Sequence, residues 1–410
     1  MKRSLFTVFL IAALCLALMG CDHAVKAPQK EAVPPQTEAA PTETAAPTVE
    51  TAAPTEPETT VPETEPATEP ETEPVMEPET EPATEPETQP EEAEETENVR
   101  PDGSEVFTLS FLGDCTIGSQ PSQFNVMYSI LWYIGEDYGY SFRNVLDYID
   151  DDDLTVVNLE GTFCDPCPNS GARFTFRAPK EYVNVLTENS VEVASFANNH
   201  TMDYRQEGYD STLATLEEAG VPYVEKDGSL LYTTESGLTV GFYALSFALD
   251  EKDMKQEIAQ LRQEGAELVI VSAHWGAEGS YRAAHTQTEI AYAAIDAGAD
   301  IVYGHHPHVL QKIEEYNGGI IYYSLGNFIF GGHHWPRDLD SAILQQQVIR
   351  SADGEVSLGE LTILPVSISS LPAQNNFQPT PCEEGSEQYT RVLEKLSGTF
   401  TGPDLLVKYD

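Results

Sequence analysis

Six apolar runs in this chain each end on a short polar motif, and no other feature constrains the fold as strongly. The motifs are Gly113-Asp114, Asn158-Leu159-Glu160, Asn198-Asn199-His200 with Asp203, His274-Trp275-Gly276, His305-His306-Pro307-His308, and Ser324-Leu325-Gly326-Asn327. Apolar runs of strand length separated by amphipathic stretches predict alternating strands and helices, hence an α/β layered domain. In open α/β sheets, functional side chains gather just past the carboxyl ends of the strands. Asp114, Glu160, Asn199, His200, His274, His306 and His308 all fall at such ends. One polar residue there has a dull explanation as a cap or loop residue. Five strand ends in succession with metal-ligand side chains predict one shared site with an open face, which is a hydrolase layout.

Strands are predicted over Val106–Leu112, Leu154–Val157, Val191–Ala197, Leu238–Phe247, Leu268–Ala273, Ile301–Tyr303 and Ile320–Tyr323. Helices are predicted over Lys180–Glu188, Gln206–Ala219, Glu251–Glu264 and Thr286–Ala297, the last three each followed by glycine as a stop. Ala342–Ile349 and Glu355–Leu364 flank Asp353-Gly354 and read as a hairpin. Glu384–Leu396 reads as a closing helix.

The chain of 410 residues carries a formal net charge of -47. Much of that charge sits between Ala24 and Arg100, a Thr, Glu, Pro and Ala tract with about twenty glutamates and almost no aromatics. Such a tract cannot bury enough apolar surface to offset its ordering entropy. Closely spaced prolines and like charges extend it, to a reach on the order of 200 Å. The acidic balance argues against nucleic acid as a partner. Before the tract, Met1-Lys2-Arg3 is basic and Leu5 to Met19 is apolar. Leu18-Met19-Gly20-Cys21 then reads as the cleavage and lipidation box of a bacterial lipoprotein, with Cys21 lipidated. The predicted organisation is a signal peptide (1–20), a disordered stalk (21–103), the α/β domain (104–370) and a C-terminal extension with a helix (371–410). An extracytoplasmic protein, lipid-anchored to the cell membrane of a bacterium, follows from it. In that compartment Cys164-Asp165-Pro166-Cys167 has three readings: a local disulfide, a redox pair or half of a zinc site. The prolines favour the first.

The stretch from Thr108 to Leu364 resembles the CapA family, the bacterial poly-γ-glutamate capsule biosynthesis proteins, whose domain is related to calcineurin-like metallophosphatases. The resemblance rests on Gly113-Asp114-Cys115, Asn158-Leu159-Glu160, Phe174-Thr175-Phe176-Arg177-Ala178-Pro179, Ala197-Asn198-Asn199-His200, His274-Trp275-Gly276 with Glu278, Gly304-His305-His306-Pro307-His308 and Tyr323-Ser324-Leu325-Gly326-Asn327-Phe328. It implies a metallophosphatase-like layered β-sandwich flanked by helices, and one or two divalent ions (Mn, Zn, Fe or Mg). By the same comparison Asp114, Glu160, Asn199, His274, His306 and His308 are the metal ligands. His200 acts near the leaving group and Asp203 orients it. His305 and Asn327 are candidate substrate contacts. Arg173 and Arg177 either hold a substrate carboxylate or pair with surface acids. Trp275 and Glu278 either line the pocket or pack, and His333 and His334 lie either over the site or in an exposed loop.

One position departs from the pattern. Where metallophosphatases carry a His two residues beyond the first Asp, this chain has Thr116. One cation position then retains Asp114, Glu160 and His308, and the other Glu160, Asn199, His274 and His306. The second is expected to bind more strongly. The implied function is making, exporting or trimming an envelope polymer such as poly-γ-glutamate, through hydrolysis of a phosphoester or an amide. A non-catalytic accessory subunit of a membrane synthase complex and a wall-polymer binding module are the alternatives.

Overall fold

The computed structural model describes residues 99–247 and 250–405. The predicted signal peptide, Cys21 and nearly all of the predicted stalk lie outside the described residues. The strands begin with β1 (Glu105–Thr116), β2 (Leu154–Leu159), β3 (Thr162–Phe163), β4 (Arg177–Ala178), β5 (Val193–Phe196), β6 (Tyr223–Glu225), β7 (Ser229–Thr233) and β8 (Thr239–Ser246). They continue with β9 (Leu268–His274), β10 (Ile301–His305), β11 (Ile313–Tyr316), β12 (Gly319–Tyr322), β13 (Asn327–Phe330), β14 (Asp340–Arg350), β15 (Val356–Ser367) and β16 (Thr380–Pro381). The α-helices are α1 (Ile130–Ile134), α2 (Asn184–Thr187), α3 (Arg205–Ala219), α4 (Glu251–Glu264), α5 (His285–Asp296) and α6 (Glu387–Leu396).

Two large mixed sheets result. The first runs β16-β15-β14-β1-β2-β5-β6, with β13 added beside the end of β1; the second runs β11-β12-β10-β9-β8-β7. Their central strands are parallel: β1, β2, β5 and β6 in one, β12, β10, β9 and β8 in the other. Parallel strands covered on both faces read as continuous apolar runs, and alternate residues then face opposite layers. Phe107, Leu109 and Phe111 of β1 meet Ile270, Ile301 and Tyr322 of the second sheet in the inner core. Leu112 and Cys115 face the other way, against Val185 and Leu186 of α2 and Leu216 of α3. Val269 and Val271 of β9 pack under Met254, Ile258 and Leu261 of α4 and Ala294 of α5. The domain is therefore a β-sandwich with helices on both outer faces.

Helices α3 and α4 start and stop within a residue of the sequence reading, each ending on a left-handed glycine, Gly220 (φ 72°) and Gly265 (φ 107°). The predicted Lys180–Glu188 helix is instead a 3-10 turn over Lys180–Val183 followed by the single turn α2. Residues 371–405 join the same body. β16 pairs with β15, and Val392 and Leu396 of α6 enter the inner core. Ser386 caps α6 by accepting from the Tyr389 N–H at 3.1 Å.

The sandwich is also tied by polar contacts across its interior. Ser272 Oγ of β9 lies 2.7 Å from Ser195 Oγ of β5. The pairing of β1 with β2 slips between Phe111 and Asp114. The Tyr303 hydroxyl donates to the Leu112 carbonyl at that slip, and lies 3.1 Å from the Val156 carbonyl. A carbonyl orphaned by a bulge is thereby satisfied from the opposite sheet.

Candidate metal centre

The carboxyl ends of β1, β2 and β5 in one sheet and of β9 and β10 in the other open on a common edge. Asp114 lies inside β1, which runs on past Leu112, where the sequence reading ended it, and its neighbour across the ladder is Asn327 at the start of β13. This close crossing explains Gly113. A Cβ there would sit 2.4 Å from the Gly326 carbonyl oxygen, while the Asp114 N–H donates to that same oxygen at 2.8 Å. Glu160 follows β2, Asn199 and His200 follow β5, His274 ends β9, and His306 and His308 follow β10. The turn after β10 is held in an uncommon conformation, with positive φ at His306 (94°) and His308 (54°). Backbone strain of this kind persists where surrounding contacts fix it, often at functional sites.

Glu160 is the hub and is fully buried. Its Oε1 lies 3.7 Å from His274 Nε2, 3.8 Å from His308 Nε2 and 3.9 Å from His200 Nε2. Asn199 Oδ1 lies 2.6 Å from His274 Nε2. Asp114 Oδ2 is 3.1 Å from His308 Nδ1, and Asp114 Oδ1 accepts from Asn158 Nδ2 at 2.9 Å. Asn198 Nδ2 donates in turn to Asn158 Oδ1 at 3.1 Å, so two buried amides brace the acidic pair from behind. Asn327 Oδ1 meets His308 Nδ1 at 2.9 Å, and Asn327 Nδ2 donates to the His308 carbonyl at 3.2 Å. Asn327 thus positions His308. His305 is buried behind Asp114, its Nδ1 3.2 Å from Asp114 Oδ1 and its ring edge-on to Tyr303, so it does not line the cleft.

Burial sets the acids and imidazoles of this cluster against one another. Burial pushes Glu160 up to about 7. Burial holds His274 well below the ordinary imidazole range and, with His308 nearby, takes His306 down to about 3. Both rings are therefore neutral, the form that binds metal. Burial opposes charge on His308, yet Glu160 and Asp114 raise it to about 10. Burial likewise opposes charge on Asp114, and His305 and His308 overcome it, holding the carboxyl well below its usual value.

The donor atoms fit a metal. Glu160 Oε1 and His306 Nδ1 are buried without a hydrogen-bond partner, an arrangement native interiors avoid unless something else satisfies it. Ligands each about 2.1 Å from one ion lie roughly 3–4 Å apart, the spacing observed around Glu160. Ligand atoms of Asp114, Glu160 and His308 lie within 4.8 Å of one another, as do those of Glu160, His274 and His306. Thr116 contributes only a hydroxyl, 3.4 Å from Glu160 Oε2.

His200 stands at the cleft side of this centre. Its Nδ1 is 2.8 Å from Asp203 Oδ2, which also accepts from the Phe176 N–H at 2.6 Å. Burial disfavours charge on His200, but Asp203 and Glu160 outweigh it and raise its pKa. The adjoining cleft, of about 410 Å³, is lined by Phe174, Phe176, His200, His308, Phe330, Trp335 and Arg337 among others. Arg177 is not among them. It donates to the Cys164 carbonyl at 2.5 Å and covers the Phe124 ring. Arg173 lies over Phe174, also outside the lining, and is exposed. Neither arginine is ion-paired with a surface acid among the described residues. The cation of the lining is Arg337, which sequence reasoning missed because no motif surrounds it. His333 lines the cleft while remaining exposed. Cys164 and Cys167 are joined as a disulfide within one loop.

Residues 108–332 match the bacterial capsule synthesis protein family PGA_cap. Among relatives, the chain is 32% identical over 271 residues to a capsule biosynthesis protein CapA of Bacillus anthracis, covering 59% of this chain and 64% of that protein. It is 36% identical over 220 residues to a PGA biosynthesis protein CapA of Bacillus subtilis, covering 47% and 57%. It is 28% identical over 296 residues to a probable polyglutamine synthesis accessory protein of Mycobacterium tuberculosis, covering 62% and 74%. The chain thus spans less than two thirds of the two CapA proteins. Because the match over residues 108–332 spans more than half of the chain, and the motifs within it assemble at one edge of the sandwich, the chain belongs to the PGA_cap family of bacterial capsule synthesis proteins.

Proposed function

We propose that this protein is a metal-dependent hydrolase of capsule biosynthesis, held outside the cytoplasm by a lipid on Cys21, that cuts a bond in an envelope polymer of the poly-γ-glutamate kind. The observation that carries this reading is the convergence of Asp114, Glu160, Asn199, His274, His306 and His308 beside an open cleft. A divalent ion there supplies a Lewis acid and lowers the pKa of water. The chain's own residues do the rest. Asp203 orients His200 through Nδ1–H and favours its imidazolium form, so that Nε2, which faces Glu160 and the cleft, carries a proton it can deliver to a leaving group. The aromatic walls exclude water from the polymer backbone, and Arg337 at the rim is placed to pair with a carboxylate of an anionic chain. Both an amide and a phosphoester are compatible with these groups.

A specific observation supports a second reading. Thr116 leaves one cation position a ligand short, and the mycobacterial relative is named an accessory protein, so a non-catalytic partner of a synthase is the competing account. The test is turnover of γ-glutamyl polymer and of aryl phosphoesters by the purified protein with Mn²⁺ or Zn²⁺. Activity that disappears in both His200→Ala and His274→Ala supports hydrolysis. Absence of turnover by metal-loaded protein that binds the polymer supports the accessory role.

A further inference from the structure

We propose that Glu278 is a metal-ligating residue: with His306 and His308 it forms a cation-holding set on the cleft side, compensating for the ligand that Thr116 does not provide. The inference rests on the metal-site reading above and extends it to a residue outside the predicted ligand set.

Several observations point the same way. Ligand atoms of Glu278, His306 and His308 come within 4.8 Å of one another. His306 also belongs to the Glu160–His274 set and His308 to the Asp114–Glu160 set, so Glu278 reaches across the mouth of both. Glu278 lines the cleft and is half-buried. It has no hydrogen bond or ion pair among the described residues, although a carboxylate taken partly out of water normally acquires one.

The backbone holds Glu278 in place. The Trp275 N–H donates to the His305 carbonyl at 3.1 Å and the Gly279 N–H to the Pro307 carbonyl at 2.8 Å. These two bonds clamp the 275–279 turn against the turn that carries His306 and His308. The Trp275 indole is buried and donates to the Tyr323 carbonyl at 2.9 Å. Trp275 is therefore a packing anchor, and Glu278 is the member of the motif directed at the cleft.

Electrostatics favour a cation here. Asp114 and Glu160 share one set with His308, and Glu278 joins the adjoining set through the same His308; the ion-pair partners of Asp114 and Glu160 among the described residues are all histidines. A divalent ion neutralises such a cluster, and carboxylate with imidazole is a donor mixture suited to Mn, Fe or Zn.

The test is equilibrium metal binding to the intact purified chain, by titration calorimetry and by elemental analysis after dialysis, with Mn²⁺ and Zn²⁺ as probes. Wild type is compared with Glu278→Gln, Glu278→Asp and the surface control Glu289→Gln. Since even outer partners of metal ligands change affinity about 10–100-fold, Glu278→Gln is expected to weaken the looser-bound ion at least about tenfold or to remove it. Glu278→Asp is expected to restore part of the loss, and the control to match wild type. Metal-free melting temperatures should agree among all four proteins, which separates a ligand from a folding role. Unchanged stoichiometry and affinity in Glu278→Gln would overturn this inference and leave the hydrolase reading standing. A wild-type protein that binds neither ion would overturn both.

Discussion

Lys395 is a buried cation whose removal should cost the fold several kcal/mol. It is almost wholly buried, and its Nζ donates to Asp338 Oδ2 at 2.6 Å and to Asp340 Oδ2 at 2.7 Å. The same ammonium lies 4.6 Å from the centre of the Tyr281 ring. Arg391 meets both oxygens of Asp340 at 2.7 Å. This network fastens α6 to the start of β14. In Lys395→Met the stem is replaced at similar volume and two buried carboxylates keep one cationic partner between them, Arg391 on Asp340, while Asp338 retains only the Tyr281 hydroxyl and the Asp340 N–H. Breaking one side of a buried ion pair costs about 3–5 kcal/mol. In a domain of this size that lowers the melting temperature by roughly 6–10 °C. The pH dependence supplies a signature. In the wild type, burial pushes Asp340 upward, but Arg391 and Lys395 prevail and hold it below its usual value. A depressed carboxylate contributes stability above its unfolded pKa of about 3.9, and that stability is lost as pH falls through the folded value. In Lys395→Met the balance tips toward burial, so the penalty should grow as pH rises from about 4 to about 7. Urea unfolding of both proteins at several pH values measures this. A difference below about 1 kcal/mol at neutral pH, the range of an exposed pair, or one that does not vary with pH, would refute the reasoning.

Tyr303→Phe removes the hydroxyl that reaches the Leu112 and Val156 carbonyls; stability should fall by about 1–3 kcal/mol in urea unfolding. Gly113→Ala forces a methyl against the Gly326 carbonyl, so a loss of about 1–3 kcal/mol or more is expected. Because Asp114 moves with that strand, metal affinity should fall in the same variant, read by calorimetry.

Much of the layered fold was legible because its strands are buried on both faces and its longer helices end on glycine. β9 has no exposed residue, and a run such as Leu268–Ala273 has few other readings. Short pieces were not legible. β6, β11, β13 and β16 have four residues or fewer, below the length at which periodicity carries information. Their pairing is set by tertiary contacts. The Lys180–Glu188 stretch has helical spacing, yet its first turn follows Pro179 and tightens into a 3-10 turn.

The convergence of these histidines and acids on one edge was legible, since such residues at successive strand ends have little other use. Its supporting residues were less so. Asn327, read as a substrate contact, lines the cleft and also holds the ring of His308, whereas His305, given the same role, lies behind Asp114. A linear motif shows which residues travel together, not which face the solvent. The guanidiniums of Arg173 and Arg177 were drawn toward the site by proximity in sequence, whereas Arg337 reaches the cleft from a loop some thirty residues past the last histidine motif.

The central claim is that the edge shared by the two sheets holds a divalent cation. Anomalous scattering from crystals grown with Mn²⁺ or Zn²⁺ tests it most directly. A peak bounded by Glu160, Asn199, His274 and His306, stronger than any peak beside Asp114 and His308, is the predicted result. Bound ions found only elsewhere on the surface, with these side chains still hydrogen-bonded to one another, would contradict it.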